Sequence, residues 1–155
     1  MIYLVDTNVV LRLVDAGHPH HTPARAAVEE LQEDHQLRAS GQNFIELWNV
    51  ATRPADKNGL GWVPAKADRV LATVEQLFPL LPESPAVYAQ WRRLVVEFGV
   101  SGVKAHDARL VAAMKVNNVT HILSFNADDF IRYERAGIVA VDPASLYEQR
   151  LDRES

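Results

Sequence analysis

Residues 1–8 read MIYLVDTN, an apolar run over 2–5 that ends directly on Asp6, Thr7 and Asn8. Four β-branched, aromatic or aliphatic positions in a row are too few for a helix and suit a strand buried on both faces of a parallel sheet. A carboxylate at the carboxyl end of such a strand stands where open α/β sheets place their ligands. Three more acidic segments lie at the edges of apolar runs: Glu46 in QNFIELW, Asp107 in KAHDARLVAAM, and the stretch SFNADDF at 124–130. Such a set of carboxylates suggests a metal site.

Outward from that first strand, the pattern alternates. Residues 120–124 (THILS) and 138–141 (IVAV) are further strand-like runs. Between them, Thr22 followed by Pro23 predicts a capped helix through 24–33, and Pro64 and Pro85 open two more. Ala67, Val70, Leu71, Val74 and Leu77 recur at helical spacing, as do Val87, Tyr88, Trp91, Leu94, Val95 and Phe98. These two faces are expected to pack together or on the sheet. RPADKNGLGWV, residues 53–63, is the most loop-like segment. Alternating units with right-handed crossovers predict a three-layer α/β/α domain with a central, mostly parallel sheet, formed by residues 1–155 as one unit.

Composition narrows the chemistry. With 155 residues and 48% hydrophobic content, the chain can bury a core without staples. It has no cysteine, which removes disulfides, thiolate metal sites and cysteine nucleophiles, and leaves any metal to hard oxygen ligands. No apolar stretch reaches the roughly 20 residues that span a bilayer, and MIYLVDTN lacks the form of a signal peptide, so a cytoplasmic protein without a membrane partner is expected. The formal charge of −4 does not fit a broadly basic nucleic-acid coat. A polyanion would have to be held locally or through a cation.

Each acidic position also has a plain structural reading. Asp6 can cap a helix starting near Thr7. Glu46, among Phe44, Ile45, Leu47 and Val50, can sit at a helix edge and reach solvent. Asp107 is an ordinary first-turn acid for the helix HDARLVAAMKV, and neighbouring His106 can be a cap, a supporting donor or a nucleic-acid contact. Ser124 and Asn126 should emerge at a strand end, with Asp128 or Asp129 starting the next helix. What these readings leave unexplained is that three such events fall at corresponding ends of α/β units, joined by a fourth acid inside a helix.

In that order and spacing, LVDTNVVLR, FIELWNV, KAHDARLVAAM and ILSFNADDF resemble the PIN-domain ribonucleases, in particular the toxin components of VapBC-type toxin–antitoxin pairs. The resemblance covers nearly the whole chain and implies a PIN-like fold. It implies that Asp6, Glu46 and Asp107 are metal ligands and that Ser124 is the family's serine or threonine near the last acid. Many members carry an aspartate two residues after that position, where this chain has Asn126; Asp129, before Phe130, matches the later aspartate of the motif. The site expected from the resemblance is therefore Asp6, Glu46, Asp107, Ser124, Asn126 and Asp129, with Thr7 and Asn8 orienting Asp6.

Mg²⁺, with Mn²⁺ as the alternative, suits an oxygen-only donor set better than zinc. Converging acids raise one another's proton affinity until a cation neutralises them. The expected reaction is endonucleolytic hydrolysis of RNA, with a cognate antitoxin and a homodimer as the partners the resemblance implies. Arg12, Arg53, Lys57, Lys104 and Arg109 are available to an RNA backbone or form a solvated charged face. His18, His20 and His21 in GHPHHTP read as a helix-connecting loop rather than a metal cluster. Trp48, Trp62 and Trp91 are sources of core packing or of an interface. A phosphatase of the haloacid dehalogenase type would need a second aspartate at position 8, which is Asn8. A PIN-like regulatory subunit and a housekeeping RNA-processing nuclease are the remaining alternatives.

Overall fold

The computed structural model describes residues 1–155. In chain order the elements are β1 (Ile2–Val5), α1 (Thr7–Val14), α2 (His21–Asp34), β2 (Gln36–Arg38), α3 (Gly41–Thr52), α4 (Pro64–Leu77), α5 (Pro85–Glu97), α6 (Lys104–Val116), β3 (His121–Leu123), β4 (Val139–Val141) and α7 (Pro143–Glu154). Short 3₁₀ segments lie at Ala55–Lys57 and Ala127–Ala136. The strands form one sheet in the order β2-β1-β3-β4, with every pairing parallel.

Side-chain alternation along the strands divides the core in two. Tyr3, Val5, Leu37 and Leu123 face one side, where α1, α2, α3 and the end of α4 supply Val9, Val10, Leu31, Phe44, Leu47, Val74 and Phe78. Leu4 and Ile122 face the other, against Val87 and Leu94 of α5 and Leu110, Val111 and Met114 of α6. Both faces of the central strands are therefore dry, as the apolar runs predict. No helix is long and apolar enough to cross a membrane.

Several expectations change. β2 has no counterpart in the sequence reading: Gln36 and Arg38 flank a single buried Leu37, so its three residues carry no apolar run. The helix expected from a Thr22 cap begins at His21, and His20 at its cap position makes no side-chain capping bond. Of the two packings expected for α4 and α5, together or on the sheet, the second holds: Val74 and Val87 belong to cores on opposite sides of the sheet. Tyr88, expected inside, is 59% exposed on the outer face of α5. α6 starts at Lys104, three residues before Asp107.

The segment after β3 is a 3₁₀ helix, where an ordinary helix starting at Asp128 or Asp129 was expected. Its packing follows the 3₁₀ repeat of three residues per turn: Phe130 and Tyr133 are buried, and Ala127 and Ala136 on the same line are partly covered. Residues 53–63 fold back on the end of α3 through Leu60 N–H to Val50 O at 3.0 Å and Trp62 N–H to Ala51 O at 2.9 Å. Gly59 is required there, since a Cβ would overlap the Arg53 carbonyl oxygen.

Candidate functional site

From β1 the chain moves to β2 on one side, and later returns to β3 on the other. This reversal opens a crevice beyond the carboxyl ends of β1 and β3, the position at which doubly wound sheets bind ligands. Asp6 follows β1 directly and Ser124 follows β3 directly. Val5 is registered with Leu123, which sets the two residues side by side.

Asp6 is only 8% exposed and caps α1, its Oδ1 accepting the Thr7 N–H at 2.8 Å. Its Oδ2 accepts the Ser124 hydroxyl at 2.8 Å, and the Asn8 amide reaches the same oxygen at 3.5 Å. Ser124 Oγ in turn accepts from Asn8 Nδ2 at 3.1 Å and from the Asn126 N–H at 3.0 Å. Asn8 Oδ1 accepts the Phe125 N–H at 3.1 Å, so Asn8 ties α1 to the loop after β3. Asp6 is thus both a helix cap and a fixed carboxylate; the structural and functional readings do not compete.

Glu46 is half-buried on α3 and gripped from two sides. The Thr7 hydroxyl donates to its Oε2 at 2.6 Å and Gln42 Nε2 to its Oε1 at 2.9 Å. Thr7 Oγ1 accepts from Asn43 Nδ2 at 3.1 Å, and Asn43 closes a capping box with Ser40 at the start of α3. Thr7 therefore steers Glu46 through its hydroxyl as well as Asp6 through its backbone. Ser40, Gln42 and Asn43 did not stand out in the sequence, although Ser40 with Asn43 three residues on is a legible capping signature.

Asp107 and Asp129 face a cation of the chain itself. Lys104 Nζ lies 2.9 Å from Asp129 Oδ1 and 3.9 Å from Asp107 Oδ2. Asn126 is exposed and joins the network through its backbone, donating its N–H to Ser124 Oγ and accepting the Asp129 N–H at 2.9 Å. Of the other cations considered, Arg109 bonds Gln42 Oε1 at 3.2 Å and Glu83 Oε2 at 3.4 Å. Arg53 donates to Asn58 O at 3.3 Å, within its own loop. A groove of about 760 Å³ runs beside Glu46, lined by Gln42, Ile45, Glu83, His106 and Arg109.

Electrostatics link the four acids. Burial pushes the Asp6 carboxyl up from an ordinary 3.8 to about 6; the Ser124 and Thr7 bonds oppose the shift, and the charges of Asp107 and Glu46 add to it. Asp107 is also raised, first by burial and then by Asp129 and Glu46, with Lys104 opposing. No three acid or histidine side chains close around a single point as placed. Mg²⁺ does not require that, since it keeps several waters and takes one or two carboxylates. An oxygen-only set in which Asp6 and Asp107 are raised by burial first and by neighbouring acids second, and which already holds an ammonium between two of its members, fits a hard divalent cation.

The PIN-domain family model matches residues 3–136, which includes every side chain described above. The chain belongs to the PIN-domain family. Three solved structures show the same fold over nearly its whole length. VapBC-1 from nontypeable Haemophilus influenzae superposes with a TM-score of 0.65 at 16% identity, covering 92% of this chain and 98% of that one. VapC20 of Mycobacterium tuberculosis, described as a sarcin-ricin loop cleaving toxin, gives 0.64 at 19% identity, with 91% and 98% covered. FitAcB from Neisseria gonorrhoeae gives 0.61 at 23% identity, with 92% and 98% covered. No curated protein sequence matches the chain significantly. PIN domains are a nuclease family, and membership supports a nuclease role for this one.

Proposed function

We propose that this PIN domain is a divalent-metal-dependent endoribonuclease, the toxin of a toxin–antitoxin pair, with Asp6, Glu46 and Asp107 as its metal-binding carboxylates. The observation that carries this reading is the crowding of Asp6, Glu46, Asp107 and Asp129 at the switch point of the sheet, where Asp6 is pushed up to about 6. A bound Mg²⁺ or Mn²⁺ would neutralise these acids, polarise a phosphodiester and lower the pKa of an attacking water.

The chain's own residues do the positioning. Thr7 holds Asp6 by its N–H and Glu46 by its hydroxyl, which fixes the spacing of a carboxylate at the start of α1 and one on α3. Ser124 locks the second oxygen of Asp6 from β3. Asn126 and Asp129 occupy the rim as accessory groups, Asp129 held by Lys104. Arg109, in the groove beside Glu46, is placed to meet a backbone phosphate. The toxin assignment is supported by the fold shared with VapBC-1, VapC20 and FitAcB, and it carries a cognate antitoxin and a homodimer as its partners.

Purified protein with Mg²⁺, Mn²⁺ or EDTA is expected to cut one or more RNAs in a panel of transfer, ribosomal and messenger species. Asp107→Asn should keep the fold and lose at least 100-fold in rate, on the order of one removed electrostatic contact in a transition state. Cleavage at the wild-type rate by that variant would sink the assignment. Rescue of growth by a small basic protein encoded next to this one would identify the antitoxin.

A further inference from the structure

The loop before α2 and the first residue of that helix carry three histidines that the acid cluster does not use, and the structure places two of them, His18 and His20, in a ring ladder leading to the site. His20 stacks on Phe125 with ring centroids 4.6 Å apart and planes 12° from parallel. His18 leans against His20 at 5.2 Å and 58°. Phe125 lies between Ser124 and Asn126, and its N–H is held by Asn8, so the inner end of the ladder is fastened to the same network that holds Asp6. The outer end is fastened too: His18 Nδ1 accepts the His20 N–H at 3.0 Å, and His21 Nδ1 lies 2.8 Å from the Arg12 carbonyl.

Three points argue that this ladder is more than a loop clasp. His20 stays exposed although one ring face covers Phe125. A His18 ring whose Nδ1 accepts a hydrogen bond presents a neutral π-surface rather than a charge. Arg12, paired with Asp15 only at 3.9 Å, is close enough to His18 for its charge to lower that ring's proton affinity, and it offers a guanidinium to a backbone phosphate. Flat rings next to a phosphate-binding cation are what single-stranded RNA uses, because its unpaired bases are free to stack.

We propose that Phe125, His20 and His18 form a nucleobase-stacking subsite that seats an unpaired base of single-stranded RNA beside the acid cluster. The proposal rests on the nuclease reading for its substrate class. It makes the histidine loop a determinant of where RNA is cut: one nucleotide is held by its ring while the neighbouring phosphodiester lies over Asp6.

The test is binding of a single-stranded RNA oligonucleotide carrying 2-aminopurine, in EDTA so that nothing is cut, to wild type, His20→Phe, His20→Leu and Phe125→Leu. His20 makes no side-chain cap, and Phe and Leu both keep an apolar contact, so the fold is retained and only the stacking ring changes. Wild type and His20→Phe should quench the probe on binding. His20→Leu and Phe125→Leu should lose the quenching and bind roughly 5–150-fold more weakly, the range for one stacked base. Equal quenching and affinity in all four proteins would overturn the subsite, as would a wild type that does not bind the oligonucleotide. Cleavage in Mg²⁺ separates the two readings. A protein that cuts RNA yet shows no ring dependence keeps the nuclease and loses the subsite; one that quenches by ring but never cuts keeps the subsite and loses the nuclease.

Discussion

Asp6 concentrates the physical conflict of the molecule. Its carboxyl is pushed up to about 6 from 3.8, mainly by burial, so ionising it costs more in the fold than in the unfolded chain. Below pH 3.8 the group is protonated in both states and the cost is absent. Between there and about pH 6 the folded state holds the proton longer, so stability falls as pH rises, by about 3 kcal/mol for a shift of this size. Above that window the cost is complete and flat. Urea unfolding at several pH values in EDTA should show Asp6→Asn losing this downward slope relative to wild type. Parallel profiles for the two proteins would mean that Asp6 is not the strained group. Ser124 and Thr7 limit the conflict without removing it, because each supplies only one hydrogen bond to the carboxylate.

At the scale of elements, α3 and α6 present acids to a crevice that neither helix forms alone. Glu46 is aimed by a relay that starts at the α3 capping box and passes through Asn43 and Thr7. Asn43 is fully buried, so Asn43→Ala should cost about 1–3 kcal/mol from the lost cap and the orphaned partners. Its effect should be non-additive with Thr7→Val in thermal melts, since the two share one network. On α6, Lys104 stands one turn before Asp107 and spans to Asp129 on the 3₁₀ helix. Lys104→Met removes that tethered ammonium. Calorimetric titration should then show tighter Mg²⁺ or Mn²⁺ binding, while the metal-free protein melts lower; unchanged affinity would show that the lysine does not compete for the site.

For the whole molecule, acids held at the end of β1, on α3, on α6 and on the segment after β3 mean that a cation bound among them would join elements from both faces of the sheet. Such a ligand stabilises the fold by mass action, by about 2.7 kcal/mol at a hundredfold excess over its dissociation constant. For a chain of this size that corresponds to roughly 5–10 °C in melting temperature. Adding Mg²⁺ should produce this rise at neutral pH, EDTA should reverse it, and Asp6→Asn should abolish it. A melting temperature indifferent to Mg²⁺ in wild type would argue against a cation site at the switch point.

Much of this was legible in the chain itself. A buried parallel strand has to be apolar throughout, so IYLV announced β1, and the carboxylate after it marked the candidate site. The prolines marked the starts of α4 and α5, because proline is tolerated only in a first turn. The order of the acidic motifs carried the family, which the match over residues 3–136 bears out. Other features exist only in three dimensions. β2 is held in place by pairing with β1 and burial of Leu37, neither of which leaves a pattern in three residues. The sides taken by α4 and α5 depend on where the chain crosses the sheet, which their similar apolar faces do not encode. The Thr7 to Glu46 bond, the bridge of Lys104 to Asp129 and the stack of His20 on Phe125 join residues 39, 25 and 105 positions apart, by subtraction of their numbers. Local sequence sets propensity and burial pattern; which distant side chains meet is decided by the parallel sheet order that brings β1 and β3 together.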